Sequence, residues 1–442
     1  MAIALVYHGD PTSNCYRDLR IGAFDMSHAG QESHWFAMSD GRHLSEKPGI
    51  GIVDLTDTDP QMQGFMGLAR NSSKPGAIPV FSHSKRLGDF ALAFDGYIIN
   101  GDRLRERYGG RTDGDLAARF IADADDFGRG VENFFGEKKG HACVAVATER
   151  GEGYAARCPL GIRPLVYGNG ETGHALVSES RALSHIGMKR ERDVAPGEIA
   201  AVDGSGIHTL KQLEGRRKVC SFLWAYYQMV DCVTEGIDVD LVRSRIAGIL
   251  ASMDRKAGLV LDAVCSIPDS GDAYAQHYAI AAGIPYLRAL EKTQYAGRSY
   301  DRYEQWIRDL IAGVKLSVIR NRIRKRMAAT EDSFRRGTQA IRSGGPIELL
   351  RGAGVEELHI RVGSPRNVAY CRCSPAEGGR YKDEELAANR FKTDGDLAKY
   401  LGVASVAFIG LDDFVPCITE GSSLTRDDLC LGCYTGEFGF LD

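Results

Sequence analysis

The chain has 442 residues, 43% of them hydrophobic and 26% charged, with a formal net charge of −4. That length exceeds one ordinary core, so two globular domains are expected, and the balanced charge argues against a general nucleic-acid or membrane-surface binder. No run approaches the ~18 apolar residues of a membrane span. The opening "MAIALVYHGDPTSN" has no basic leader and reads as a buried strand, so a cytoplasmic location is expected.

From residue 1 to about 215, short apolar runs are separated by Gly, Asp and Asn turns: "FALAFDGYII", "HACVAVATE", "LVYGNG", "HALVSES" and "EIAAVDGSG". Runs this short predict strands of a layered β-rich domain, with helices over Gly101–Tyr108 and Gly114–Asp123. Around residues 215–237 the rhythm changes. "VDLVRSRIAGILASMDRKAG" predicts an amphipathic helix, "LVLDAVCSIPDS" a strand ending in a turn, and "GDAYAQHYAIAAG" a second helix. This alternation predicts an α/β domain on a parallel sheet. The expected domains are 1–225 and 226–442. The basic run "RNRIRKR" (320–326) reads as a solvated face.

Several stretches carry chemistry. In "ATEDSFRRGTQ", Glu331 and Asp332 end a strand and Gly337-Thr338 opens a helix. Carboxylates at a strand's carboxyl end hold ribose hydroxyls, directly or through Mg2+. A Gly-Thr turn at a helix start offers N–H groups and a hydroxyl to a phosphate. "CSIPDSGDAYA" places a Pro-Asp-Ser-Gly turn after an earlier strand, and "EKTQYAGRSYDRYEQ" carries Lys292, Tyr295 and Arg298. A cationic loop of that kind suits a diphosphate leaving group. Near the start, "DMSHAGQES" (25–33) suggests a glutamine-hydrolysing domain. Such a domain needs a nucleophile on its first residue, with the α-amine as base. Of eleven cysteines, four cluster in "CRC" (371, 373) and "CLGC" (430, 433). In a chain of this size, clustering suggests metal or Fe–S ligation, with a redox pair or buried thiols as the alternatives.

Taken in order, "HAGQES", "GLARNSS", "RCPLGIRPLVYG", "LVSESRAL", "RDVAPGEIAAVD", "IPDSGDAYA", "YAGRSY", "KLSVIRN", "EDSFRRGTQ", "ELHIRVGSP" and "CLGCYTGEFG" resemble the glutamine phosphoribosylpyrophosphate (PRPP) amidotransferases over nearly the whole chain. The resemblance implies an α+β plus α/β protein. An N-terminal-nucleophile (Ntn) αββα glutaminase-like domain would be followed by a type I phosphoribosyltransferase domain, with ammonia passing between them to displace diphosphate from PRPP. It implies PRPP binding with Mg2+ by Glu331, Asp332, Ser333, Arg336, Gly337 and Thr338, catalysis by Lys292, Tyr295 and Arg298, and a homo-oligomer, tetramer or dimer. It also implies a [4Fe–4S] cluster on Cys220, Cys371, Cys430 and Cys433. Four thiolates suit such a cluster; they suit zinc as well, and unligated buried thiols are the plain alternative.

The first half departs from the family it resembles. Counting back from His28 puts the missing nucleophile at Ala4. Cys15 is the one substitute, and cleavage before it would leave too little chain for a strand and a helix ahead of His28. In "AFDGYI", Asp95 replaces an asparagine that helps stabilise the oxyanion and Tyr97 replaces a second; Ala29 replaces an arginine. A carboxylate there repels a developing oxyanion. Arg70, Asp95, Gly96 and Asp113 outline a vestigial glutamine pocket. In the second half the departures are milder: Glu331 for Asp, Gln339 for Thr and Gln294 for Arg. Gly344-Gly345-Pro346 interrupts the following helix, which must start later because proline breaks a helix interior.

The expected function is a phosphoribosyltransferase that displaces diphosphate from PRPP with ammonia or another amine, without glutamine hydrolysis of its own. The ammonia would be free or supplied by a partner protein. The second reading is a non-catalytic relative that binds PRPP or a nucleotide and regulates or scaffolds a partner. The third is an ordinary glutamine-dependent amidophosphoribosyltransferase. No residue identifies the acceptor.

Overall fold

The computed structural model describes residues 1–74, 76, 80–293, 314–336, 345–374 and 382–441. Thirteen strands fill the first half: β1 (Ala2–His8), β2 (Ser33–Ser39), β3 (Leu44–Ile50), β4 (Met66–Ser72), β5 (Val80–Ser84), β6 (Gly88–Ile98), β7 (Gly140–Thr148), β8 (Gly153–Arg157), β9 (Val166–Gly170), β10 (Gly173–Val177), β11 (Lys189–Asp193), β12 (Glu198–Asp203) and β13 (Gly206–Gln212). They form a seven-stranded sheet, β11-β9-β10-β1-β4-β2-β3, and a six-stranded sheet, β13-β12-β8-β7-β6-β5.

Side chains alternate across each strand. One face of β1, β2 and β4 (Ile3, Leu5, Trp35, Ala37, Leu68) therefore packs on one face of β6 and β7 (Ala91, Ala93, Ala145, Ala147). The opposite face of the first sheet buries Ala4 and Val6 under α1 (Tyr16–Asp25) and α5 (Arg181–His185). The opposite face of the second sheet buries Phe90, Leu92 and Val144 under α3 (Asp113–Ala122) and α4 (Phe127–Glu137), with α2 (Gly101–Tyr108) beside α3. The result is the expected αββα stack. Helix α3 starts one residue earlier than the apolar pattern suggests, because Thr112 and Asp115 form a reciprocal capping box.

In the second half, β14 (Val219–Cys220) pairs in parallel with β23 (Leu429–Cys430), and β15 (Val233–Thr234) pairs with β16 (Ile237–Asp238). Helix α6 (Val239–Lys256) follows, and α7 (Asp272–Ala282) packs on it. A four-stranded parallel sheet runs β17 (Ala263–Ser266), β20 (Arg326–Glu331), β21 (Glu357–Val362) and β22 (Ser405–Phe408), while β18 (Leu290–Lys292) and β19 (Leu316–Val318) form a short ribbon. Helix α8 (Pro346–Gly352) begins at the proline, whose fixed φ suits a first turn. Among the described residues no helix is long and apolar enough to cross a membrane.

The start of α6 is held by Asp238, whose carboxylate accepts from Leu241 N at 3.0 Å. Asp238→Ala should lower stability by about 1 kcal/mol, read as a lower urea midpoint; an unchanged midpoint would show that the cap contributes nothing.

Candidate active site

Strands β17, β20 and β21 end at one edge of the parallel sheet, where α/β proteins place their ligands. Glu331 closes β20 and Asp332 follows it. Ile267 N donates to Thr330 O (2.9 Å) and Thr330 Oγ1 donates to Gly271 O (2.9 Å), so the 267–271 turn lies against the end of β20. This brings Ser270 to the Asp332 carboxylate, which also accepts from Ser333. Gly363 N donates to Glu331 O at 2.8 Å, and a Cβ on Gly363 would lie 2.3 Å from the Tyr274 ring, so only glycine fits there.

Burial, and then the adjacent Asp332, push the Glu331 carboxyl well above its ordinary range, against the pull of Lys315. Burial raises Asp332 too, with Ser270 and Ser333 opposing. Two buried carboxyls in contact share a proton, since both cannot ionise cheaply. Asp332 Oδ1 has no hydrogen-bond partner among the described residues. Lys292, at the end of β18, pairs with Asp269 of the same turn. Arg336 is turned to the surface, 3.5 Å from Glu385. Tyr295, Arg298, Gly337 and Thr338 lie outside the described residues.

A second site lies between the two sheets of the first half, where β1 begins. Ala4 does not reach it. It sits in mid-strand opposite Ala69 and Val177, on the face toward α1. Ala4 thus faces away from the space between the sheets, which Ile3 and Leu5 face; Met1, of the same parity along the chain, lies at the start of that face.

The Met1 amine is buried and donates to Ala29 O at 3.0 Å. Burial lowers its pKa to about 6; Asp95 and Glu179 oppose the shift while Arg163 and Arg70 reinforce it. Arg70 donates through Nη2 to Met1 Sδ (2.8 Å) and through Nε to Phe94 O (2.8 Å). Asp113 accepts from Arg105 Nη1 (2.6 Å) and Ile98 N (3.0 Å). The two groups expected to grip an amino acid are thus satisfied by the chain itself. Asp95 is buried on β6, and Gly96 beside it has no room for a side chain, since a Cβ would lie 2.3 Å from His141 O. Cys15 lies on the α1 side of β1, where its thiol donates to Val6 O at 3.7 Å and burial raises its pKa.

The two halves meet beside this pocket. Arg163 is stacked over the Tyr227 ring at 5.1 Å. Burial alone would lower its pKa, but Asp95, Tyr227 and the thiols of Cys220 and Cys371 outweigh it. His141 of β7 donates through Nε2 to Cys373 O at 2.8 Å. Cys220 and Cys430 are register partners in the β14–β23 pair. Cys371 accepts from the Cys373 and Cys433 thiols, which holds its pKa well below the usual thiol range. The thiols of Cys220 and Cys430 feel Cys371 in turn. None of the eleven cysteines is in a disulfide. Among the described residues no group of three or more His, Cys, Asp or Glu side chains is arranged to hold a metal ion.

A family of glutamine amidotransferase domains matches residues 68–185. The chain is 29% identical over 439 residues to the amidophosphoribosyltransferase of Archaeoglobus fulgidus, covering 94% of this chain and 93% of that protein. It is 28% identical over 462 residues to that of Methanocaldococcus jannaschii, covering 96% and 94%. Over nearly its whole length the chain is similar to amidophosphoribosyltransferases. Its fold agrees with the glutamine PRPP amidotransferase from B. subtilis complexed with ADP and GMP, at a TM-score of 0.87 and 24% identity over 99% of this chain and 96% of that one. The allosteric regulatory enzyme of purine biosynthesis gives a TM-score of 0.84 at 24% identity, over 99% and 95%. The two-domain fold expected from the sequence is that of these two structures.

Met1, Arg105, Arg163, His141, Ser270 and Lys315 were not singled out from the sequence. Strand alternation would have found Met1. His141 had one signal, a polar residue opening the apolar strand "HACVAVAT". Arg163 had none, because its partners come from β6, the domain junction and residue 371.

Proposed function

We propose that this protein transfers the phosphoribosyl group of PRPP to ammonia or another small amine and does not hydrolyse glutamine. The reading rests on a contrast between the two sites. At the sheet edge the acidic pair keeps an unpartnered carboxylate oxygen beside Ser270 and the Lys292-bearing ribbon. In the first half, Met1 and Arg105 occupy Arg70 and Asp113, and Asp95 stands where an oxyanion would form.

In the reaction, the amine's lone pair forms the new C1–N bond as the C1–O bond to diphosphate breaks, and the amine proton passes to solvent. Glu331 and Asp332 bind the ribose hydroxyls, and Asp332 Oδ1 fits a Mg2+ arriving with PRPP. Lys292 and Lys315 offset charge on the departing diphosphate. At the junction, Cys220, Cys371, Cys430 and Cys433 fit a [4Fe–4S] cluster. Their thiols lie near enough to perturb one another, and four such thiolates would suit a cluster, as they would also suit zinc. The cluster would tie the 220, 371 and 430–433 segments together.

With PRPP, ammonium chloride at alkaline pH should release diphosphate and glutamine should not; glutamate formed from glutamine would overturn the proposal. If no amine brings about diphosphate release while a nucleotide binds saturably, a regulatory relative is favoured. Anaerobically purified protein should contain iron and sulfide in equal amounts, and stoichiometric zinc in their place would remove the cluster from the account.

A further inference from the structure

His141 belongs to neither set of residues used above, yet it sits where they meet. Its side chain is 2% exposed. Nε2 donates to a carbonyl, so it carries the proton, and Nδ1 of the neutral ring is a bare acceptor. That Nδ1 is buried with no partner among the described residues. Leaving such an atom unmatched costs about 1–3 kcal/mol, so a small donor at this point is favoured. Burial, reinforced by Arg163, lowers the ring's pKa to about 4 and keeps it neutral.

The surroundings narrow the donor's chemistry. His141 lies opposite Tyr97 in the β6–β7 ladder, with Asp95 two residues along β6. Asp95 offers carboxylate oxygens where an amide would have offered N–H groups, so this end of the pocket is rich in acceptors. Arg70, Arg163 and the Met1 amine lie within reach of the same Asp95, so a further cation is disfavoured there. An uncharged molecule rich in N–H donors meets both conditions. The backbone of Cys373, from the second half, closes the wall behind the ring.

We propose that the buried, unpartnered His141 Nδ1, between the two sheets and against the second half, is the anchor of a docking site for a small neutral nitrogen nucleophile of the ammonia class, which donates an N–H to that nitrogen. The site's use rests on the transferase reading, but its occupancy does not. His141 is a positioning residue, and water is the competing occupant.

The test is 15N NMR of the full chain labelled at histidine, titrated with ammonium chloride at alkaline pH, with potassium chloride as control. The His141 signals are assigned by their loss in His141→Gln. Should that variant not fold, they are found as those of a histidine that does not titrate and whose Nε2–H is protected from exchange. The Nδ1 resonance should move upfield and saturate with ammonia but not with potassium. No movement, or the same movement with both salts, leaves water as the occupant and overturns the proposal. In turnover, His141→Gln should raise KM for ammonia about fivefold, the worth of one neutral hydrogen bond, with KM for PRPP unmoved; equal KM values for ammonia would also overturn it. A saturating shift in a protein that never releases diphosphate would retain the docking site and remove the transferase reading.

Discussion

Asp332→Asn should lower kcat/KM for PRPP by about a hundredfold or more, the scale for removing one group that stabilises charge at a reacting centre. Asp332 supplies the buried, unpartnered oxygen just after β20, and an amide of the same shape brings no negative charge and only one acceptor oxygen to a cation there. Glu331→Gln tests the other half of the pair through stability. Glu331 keeps its proton in the folded chain at pH values where the unfolded chain, with an ordinary carboxyl near ~4.3, has lost it. Between those two values the unfolded state binds fewer protons than the folded state, so the natural protein loses stability as pH rises. Glu331→Gln should flatten that part of the profile, seen by comparing urea midpoints near about pH 5 and about pH 8. A slope identical to that of the natural protein would mean that the pair is not strained by burial.

The second large effect concerns Arg157, which has no exposed surface. Its guanidinium donates to the carbonyls of Arg163 (2.7 Å), Val194 (2.8 Å) and Gly161 (2.6 Å) and to Glu235 Oε1 (2.6 Å). Arg157→Met should cost about 3–5 kcal/mol, since it strands a buried carboxylate and three carbonyls. Trp35, in the core between the sheets, reports the unfolding by fluorescence. The double variant Arg157→Met/Glu235→Leu should recover part of the loss. If it is no more stable than the single variant, the stranded charge is not the cause. Because Arg157 holds the Arg163 carbonyl, Arg157→Met should also loosen the wall beside Asp95.

Local pattern reached far in this chain. Helix α2 was legible to the residue, because Gly101–Tyr108 carries its own boundaries in Asn100 and Gly109. The acidic pair was legible because its two carboxyls are neighbours in sequence. The thiols were only partly legible. Cys430 and Cys433 announce themselves by spacing, but no spacing shows that Cys373 touches the Cys371 thiol while its carbonyl serves His141. Arg163 and Arg157 look like ordinary cations in the sequence. Their burial comes from segments on either side of them in the chain, and no local period encodes such partners. The facing of Ala4 was legible only in the alternation along β1, since the distance back from His28 depends on loop length.

The β14–β23 pair has a consequence for how the molecule is assembled. Ser221 donates to Cys430 O across 209 positions of sequence. The strap that joins the halves thus couples the domain junction to a segment synthesised 209 positions later. Closing so long a loop costs entropy before any contact repays it. The two sheets of the first half contain their own core and can pack early, while the cysteine-rich wall beside Asp95 and His141 must wait for residues 371–433. During synthesis the pocket therefore stands open on that side until those residues have left the ribosome.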